Sequence, residues 1–159
     1  GLVCYNLGMT KKVLQAIREK IDNIPLIVKV GYYKEESDLE RLSEIVAEYA
    51  NSISAINTIS APIIDKDGNQ ALPGNPVRLR SGVCGACIKW AGLDMVRKLR
   101  DIRKKHNYKF SIEGVGGVLT PEDYFEYKDT GADAVFSATG AMWNPSLAIE
   151  IKEELKKKI

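Results

Sequence analysis

Apolar positions along the chain alternate between two periods. Over residues 9–21, Val13, Ile17 and Ile21 recur four apart with Leu14 beside them, the stripe of an amphipathic helix. Pro25-Leu-Ile-Val-Lys-Val30 is a short apolar run closed by Gly31, and it predicts a buried strand. Residues 38–50 return to the helical period through Leu39, Leu42, Ile45, Val46 and Tyr49, and Ser52-Ile-Ser-Ala-Ile-Asn57 predicts a second strand. The pattern lapses over residues 58–80, where Gly, Pro, Asn and Asp dominate. Within that stretch Asp67-Gly68 supplies the turn for a small hairpin between 61–65 and 69–72. Ser81-Gly-Val-Cys-Gly-Ala86 then leads into a helix over 88–105, with Leu93, Val96, Leu99 and Ile102 facing inward. A third strand is predicted over 109–113. Thr120-Pro-Glu-Asp123 starts a helix with a capping hydroxyl, a proline and two acids, and Gly131 ends it. Residues 133–137 predict a fourth strand and 145–157 a last helix. Four strands, each followed by a helix, predict an α/β domain with a parallel sheet.

Composition narrows this picture without redirecting it. At 159 residues the chain can bury one sizeable core, but a complete eight-stranded α/β barrel takes about 250. Charged residues make up 28% and apolar ones 45%, and the net charge is +2, as in ordinary globular proteins. The lysines at 152–158 belong to the last helix, where they complement its dipole and face solvent. No basic stripe interleaves with aromatics, so a nucleic-acid partner is not expected. No apolar run approaches the ~20 residues that span a bilayer, and no signal-peptide pattern opens the chain, so a cytoplasmic location is the expectation. Three cysteines without framework spacing fit a reducing compartment.

The candidate chemistry sits where strands end. Phe110-Ser-Ile-Glu-Gly-Val-Gly-Gly117 and Asp133-Ala-Val-Phe-Ser-Ala-Thr-Gly140 are apolar runs that break into small residues, leaving bare backbone N–H groups where a strand hands over to a helix. Such ends cradle phosphate, and in (β/α)8 barrels the last two strands commonly do so. Gly82 and Gly85 add a third small-residue loop before a helix.

Lys29 interrupts Leu-Ile-Val-Lys-Val on the face shared with Ile27, so it either reaches solvent along its stem or serves a ligand. Asn57 and Thr58 end the second strand, where an amide can stabilise its own turn or read the edge of a flat polar ring. Cys84-Gly-Ala-Cys87 is a C-x-x-C pair, but the further ligands are only Cys4 and His106. His106 lies at the far end of a helix about 27 Å long at 1.5 Å per residue. A metal site is therefore not expected, and the pair is read as small residues beside the glycine loop. No Ser/His/Asp arrangement can be assembled.

Together, Val28-Lys-Val, Ala55-Ile-Asn-Thr58, Ser81-Gly-Val-Cys-Gly-Ala-Cys-Ile-Lys89, Gly114-Val-Gly-Gly-Val, Gly131-Ala-Asp-Ala-Val and Ala138-Thr-Gly-Ala-Met-Trp-Asn-Pro145 resemble the dihydroorotate dehydrogenase family. Order and spacing agree over nearly the whole chain. The resemblance implies a (β/α)8 barrel of TIM type, FMN as cofactor, and oxidation of dihydroorotate or a close cyclic relative in pyrimidine biosynthesis. Residues 1–159 would then form one segment, the carboxyl-terminal half of the barrel (strands five to eight), with a long loop insertion at about 59–80. It further implies that Lys29 contacts the flavin ring and that Asn57 and Thr58 bind the pyrimidine substrate. Gly82, Gly85, Gly116, Gly117, Ala138 and Thr139 would belong to the FMN phosphate and ribityl site. Ser81 and Ala138 replace glycines of the family pattern. The family's catalytic base, a cysteine or serine in a loop after the fourth strand, has no counterpart, and Cys4 lacks its setting. The base is thus expected upstream, the missing half of the barrel is expected as another segment, and a homo-oligomer is compatible. A non-catalytic nucleotide-binding half-barrel, or an aldolase or isomerase with a Schiff base on Lys29, is the alternative.

Overall fold

In the computed structural model, which describes residues 2–74 and 78–157, the two periods resolve into a parallel sheet and a helical layer. The chain runs through α1 (Leu7–Ile21), β1 (Ile27–Val30), α2 (Glu36–Tyr49), β2 (Ser52–Ala55), β3 (Ile59–Pro62), β4 (Arg80–Val83), α3 (Lys89–His106), β5 (Ser111–Val115), α4 (Pro121–Thr130), β6 (Ala134–Phe136), α5 (Thr139–Trp143) and α6 (Leu147–Lys157). No helix among the described residues is long and apolar enough to cross a membrane.

The main sheet has the order β1-β2-β5-β6, all neighbours parallel, so strand order follows chain order. Side chains alternate between its faces. Val28, Val30, Ile53, Ala55 and Ile112 point to one side, where they are buried with Leu39, Leu42 and Val46 of α2 and Met95, Val96 and Leu99 of α3. The opposite face carries Ile27, Lys29, Ser52, Ser54, Glu113 and Phe136, and Ile27 and Phe136 remain 48% and 44% exposed there. A doubly wound sheet would bury both faces under helices. Sequential strands with one helical layer are instead the arrangement of part of a barrel wall.

Local contacts explain why the units stay in register. Arg18 of α1 donates to the carbonyls of Tyr49, Asp22 and Ile24 and to Asn51 Oδ1, and Asn51 Oδ1 also accepts from the Leu26 N–H. One guanidinium thus ties the entry of β1 to the ends of α1 and α2. At the other end of β1, Lys98 of α3 donates to the carbonyls of Tyr33 and Lys34 and pairs with Asp94, whose carboxylate accepts from Tyr32 Oη.

Two expectations need correction. The hairpin predicted across residues 61–72 reduces to a turn and one antiparallel bridge, Ile64 with Gln70. Asp65 Oδ1 accepts the N–H groups of Asp67 and Asn69, a local solution that competes with a ladder. The ladder joins β3 to β4 instead, from Ile59 opposite Val83 to Pro62 opposite Arg80. Residues 75–77 of the connection lie outside the described residues. The second correction is the addition of α5, a short helix between the fourth strand and the last helix, where the sequence pattern assigned no element.

Candidate functional site

The carboxyl ends of β1, β2, β5 and β6 and the loop after β4 converge on a cavity of about 280 Å³. Lys29 reaches it from the open face of β1, and Asn57 and Thr58 from the segment after β2. Gly85, Gly116 and Gly117 form its floor with Ala138 and Thr139. A larger and more open hollow, about 630 Å³, lies between Tyr5, Tyr33 and Arg41, but no cluster of glycine loops borders it.

The small-residue end is built by close approach. Gly85, Gly116 and Gly117 have φ of +82°, +129° and +69°, values that L side chains rarely adopt. A Cβ on Gly117 would stand 2.7 Å from Lys89 Cβ and 3.1 Å from the Gly85 carbonyl, so the loops after β4 and β5 touch along bare backbone. Gly140 brings α5 against Val118 in the same way, where a Cβ would meet the carbonyl oxygen at 2.1 Å. The first N–H groups of α5 lack intrahelical acceptors by position. Bare glycine backbone therefore lines the cavity beside the short side chains of Cys84, Ser137 and Thr139, the kind of surface that receives a phosphate.

These loops are held from behind. Tyr127 of α4 is fully buried, and its hydroxyl donates to the Gly116 carbonyl at 2.7 Å. Burial pushes its phenol far above the ordinary range, so it remains a neutral donor. Its ring fits only because Gly92 of α3 and Gly114 of β5 lack side chains. A Cβ at these positions would lie 1.9 Å from the hydroxyl and 2.3 Å from the ring. Lys89, at the start of α3, reaches Asp123 Oδ1 and Glu126 Oε2 of α4, each at 2.8 Å. Asp123 Oδ2 also accepts from the N–H groups of Leu119 and Thr120, completing the capping box of α4. Burial alone would raise the Asp123 carboxyl, but Lys89 and these N–H groups outweigh it and hold it below the usual carboxylate range.

The polar end is sparse. Among the described residues, the Lys29 ammonium makes no hydrogen bond or ion pair, and the side chain lines the cavity. Asn57 Oδ1 accepts the Thr58 N–H at 2.9 Å, and the Asn57 N–H donates to the Val30 carbonyl at 2.8 Å. The carbonyl half of the amide is thus spent on its own turn, while the NH₂ half is left for a ligand.

Of the sequence-predicted residues, Lys29, Asn57, Thr58, Gly85, Gly116, Gly117, Ala138 and Thr139 line the cavity. Gly82 does not. It pairs with Ser60 in the β3–β4 ladder, and a Cβ there would come within 2.3 Å of Thr58 Oγ1, so its bareness seats Thr58. Gly114 faces Tyr127 and not the cavity. Cys84, Ser137 and Gly140 line the cavity without having been singled out as ligand residues. All three lie within the quoted motifs. Ser137 Oγ donates to the Val118 carbonyl at 2.7 Å, which links the ends of β5 and β6. Cys4 is buried elsewhere, its sulfur accepting the Gly31 N–H at 3.4 Å.

The family model for dihydroorotate dehydrogenase matches residues 3–159. A dihydroorotate dehydrogenase of Dictyostelium discoideum is 44% identical over 155 residues, covering 94% of this chain and 41% of the relative. The catalytic subunit of a dihydroorotate dehydrogenase B (NAD(+)) of Oceanobacillus iheyensis is 30% identical over 148 residues, covering 92% of this chain and 45% of the relative. The crystal structure of the enzyme from Eimeria tenella in complex with ferulenol superposes with a TM-score of 0.72 at 15% identity, over 94% of this chain and 43% of that one. The chain thus spans less than half the length of the relatives it matches. A family match over residues 3–159, on a chain with this parallel sheet and these glycine loops, places the protein in the dihydroorotate dehydrogenase family.

Proposed function

We propose that this chain is the carboxyl-terminal half of a (β/α)8 barrel, strands five to eight, and that its cavity is the cofactor-holding part of an FMN-dependent oxidoreductase acting on dihydroorotate. The observation that carries the reading is that a cation with no ion pair among the described residues and a bare-backbone glycine cradle line one cavity. FMN has matching ends, a dianionic phosphate and a ring that gains negative charge on reduction, and it would supply the hydride acceptor. The residues fit it. The N–H groups around Gly85, Gly116, Gly117 and Thr139 would hold the phosphate. Lys29 keeps a fixed positive charge at the ring end, where such a charge favours reduction. The free NH₂ of Asn57 and the hydroxyl of Thr58 would orient a pyrimidine carbonyl or carboxylate.

The rest of the barrel would come from another segment. Glu113 supports this: it is 5% exposed, its Oε1 accepts from Ser52 Oγ at 2.6 Å, and its Oε2 is buried without a partner among the described residues. A buried carboxylate oxygen without a donor is costly, and a small side-chain rearrangement that admitted a donor from the opposite wall would relieve that cost. The proton-accepting base would come from that wall as well.

The test is flavin uptake by the protein purified with the segment that completes its sheet. Stoichiometric FMN binding, weakened by inorganic phosphate and lost in Gly117→Val, is expected. Absence of flavin binding, or binding indifferent to Gly117→Val, would contradict it.

A further inference from the structure

The C-x-x-C pair is left unused by the proposed chemistry, and its placement gives it a purpose. Cys84 and Cys87 are both free and exposed, whereas Cys4 is buried. The chain turns tightly between them: Ile88 N–H donates to the Gly85 carbonyl at 3.1 Å, and Cys87 Sγ lies 3.3 Å from the Cys84 carbonyl. Cys84 lines the cavity, and its sulfur accepts from Thr139 Oγ1 at 3.6 Å across the cradle. A cradle residue and a redox-capable sulfur therefore share one contact.

We propose that Cys84 and Cys87 are a modification site, a thiol–disulfide pair whose closure and the filling of the adjacent cradle oppose one another. The second half of this statement rests on the cradle taking phosphate, as proposed above. The oxidant is a small disulfide of the glutathione class. The Cys84 thiolate attacks one of its sulfurs, forming a mixed disulfide and releasing one glutathione thiol. The Cys87 thiolate then attacks the Cys84 sulfur and releases the second. Two protein thiols give up two electrons and two protons, and one small disulfide becomes two thiols.

The opposition follows from geometry and charge. To bond Cys87, the Cys84 sulfur must leave Thr139 and turn out of the cavity, pulling on Gly85, whose left-handed backbone helps present the donors. A dianion in the cradle also disfavours a second negative charge on the neighbouring sulfur, which slows the thiolate's attack without itself setting the equilibrium. Whatever ligand occupancy does to disulfide closure, closure does to ligand affinity by the same factor.

The experiment uses the protein together with the segment that completes its sheet, equilibrated in glutathione redox buffers and then alkylated. Of this chain's three cysteines, oxidation is expected to protect two, with peptide mass mapping placing the link at Cys84–Cys87 and leaving Cys4 a thiol. Saturating inorganic phosphate or FMN should move the midpoint toward oxidising buffer by about tenfold. Cys87→Ser should stop at a single glutathione adduct on Cys84. The proposal is overturned if no intramolecular link forms in buffers that oxidise a small dithiol peptide. It is equally overturned if the midpoint ignores phosphate in protein whose reduced form binds phosphate. Phosphate and FMN binding to the reduced protein are measured separately. If neither binds, the functional reading and the opposition both fall, while the dithiol itself is still judged by the mass readout.

Discussion

Lys29 shows how much a single position can say. Its place in a period-2 run put it on the face opposite Val28 and Val30, and that face is the open one. Its ammonium has no hydrogen-bond or ion-pair partner among the described residues, so Lys29→Ala removes a charge without breaking a polar contact of the fold. FMN binding should change little, while the rate of flavin reduction in a stopped-flow experiment should fall by about 10²-fold, the scale of losing one electrostatic contact to developing charge. Equal loss of binding and rate would argue against this role. Gly82 shows the opposite case. A glycine in a motif does not reveal whether its empty space serves a ligand or a neighbour, and here Thr58 fills it. Gly82→Ala should therefore displace Thr58, raising the KM for dihydroorotate while leaving FMN affinity unchanged. A loss of FMN affinity would return Gly82 to the cofactor site.

Helices and strands were legible wherever burial enforces a period. The helical stripes of α2 and α3, the cap at Thr120 and the stop at Gly131 all appear in the structure. The β3–β4 ladder was not legible, because Ile59–Pro62 and Arg80–Val83 alternate only between half-buried and exposed and are separated by a long polar connection. Nor was the packing of Tyr127 between two glycines, since it depends on three elements meeting. That packing is testable. Gly92→Ala gains about 1 kcal/mol in helix propensity, yet it drives a methyl to 1.9 Å from the Tyr127 hydroxyl. A net loss of about 1–3 kcal/mol in denaturant unfolding is expected. Tyr127→Phe also destabilises, by the lost bond to Gly116. In the double variant the two costs should sum to less than their separate values, because the hydroxyl is what the methyl meets. Strict additivity would contradict the packing account.

Asp123 joins the start of α4 to Lys89 of α3. Its carboxyl is held low in the folded state, so its contribution is fully present above the unfolded value of about 3.9 and is lost as pH falls through the folded one. Below about pH 4, Asp123→Asn should flatten the decline in stability seen in the parent protein. An unchanged acid limb would show that the Lys89 and cap contacts are not coupled to folding.

For the molecule as a whole, the βα alternation predicted the parallel sheet, whereas helices on one side of it were expected only through the resemblance, and closure of the proposed barrel would take a further segment. The sheet ends at β1 and β6, with Ile27 and Phe136 half exposed and Glu113 Oε2 unmet. Unpaired strand edges template association. In sedimentation velocity the chain alone should therefore run as a distribution of oligomers and collapse to one species when the complementary half is supplied. A stable monomer of the isolated chain would contradict the half-barrel. The most direct test of the central claim is anaerobic addition of dihydroorotate to the flavin-loaded protein completed by the other half of its barrel, with the visible flavin absorbance as readout. The account predicts bleaching in proportion to dihydroorotate added, recovered on reoxidation. A flavin spectrum that dihydroorotate leaves unchanged would contradict it.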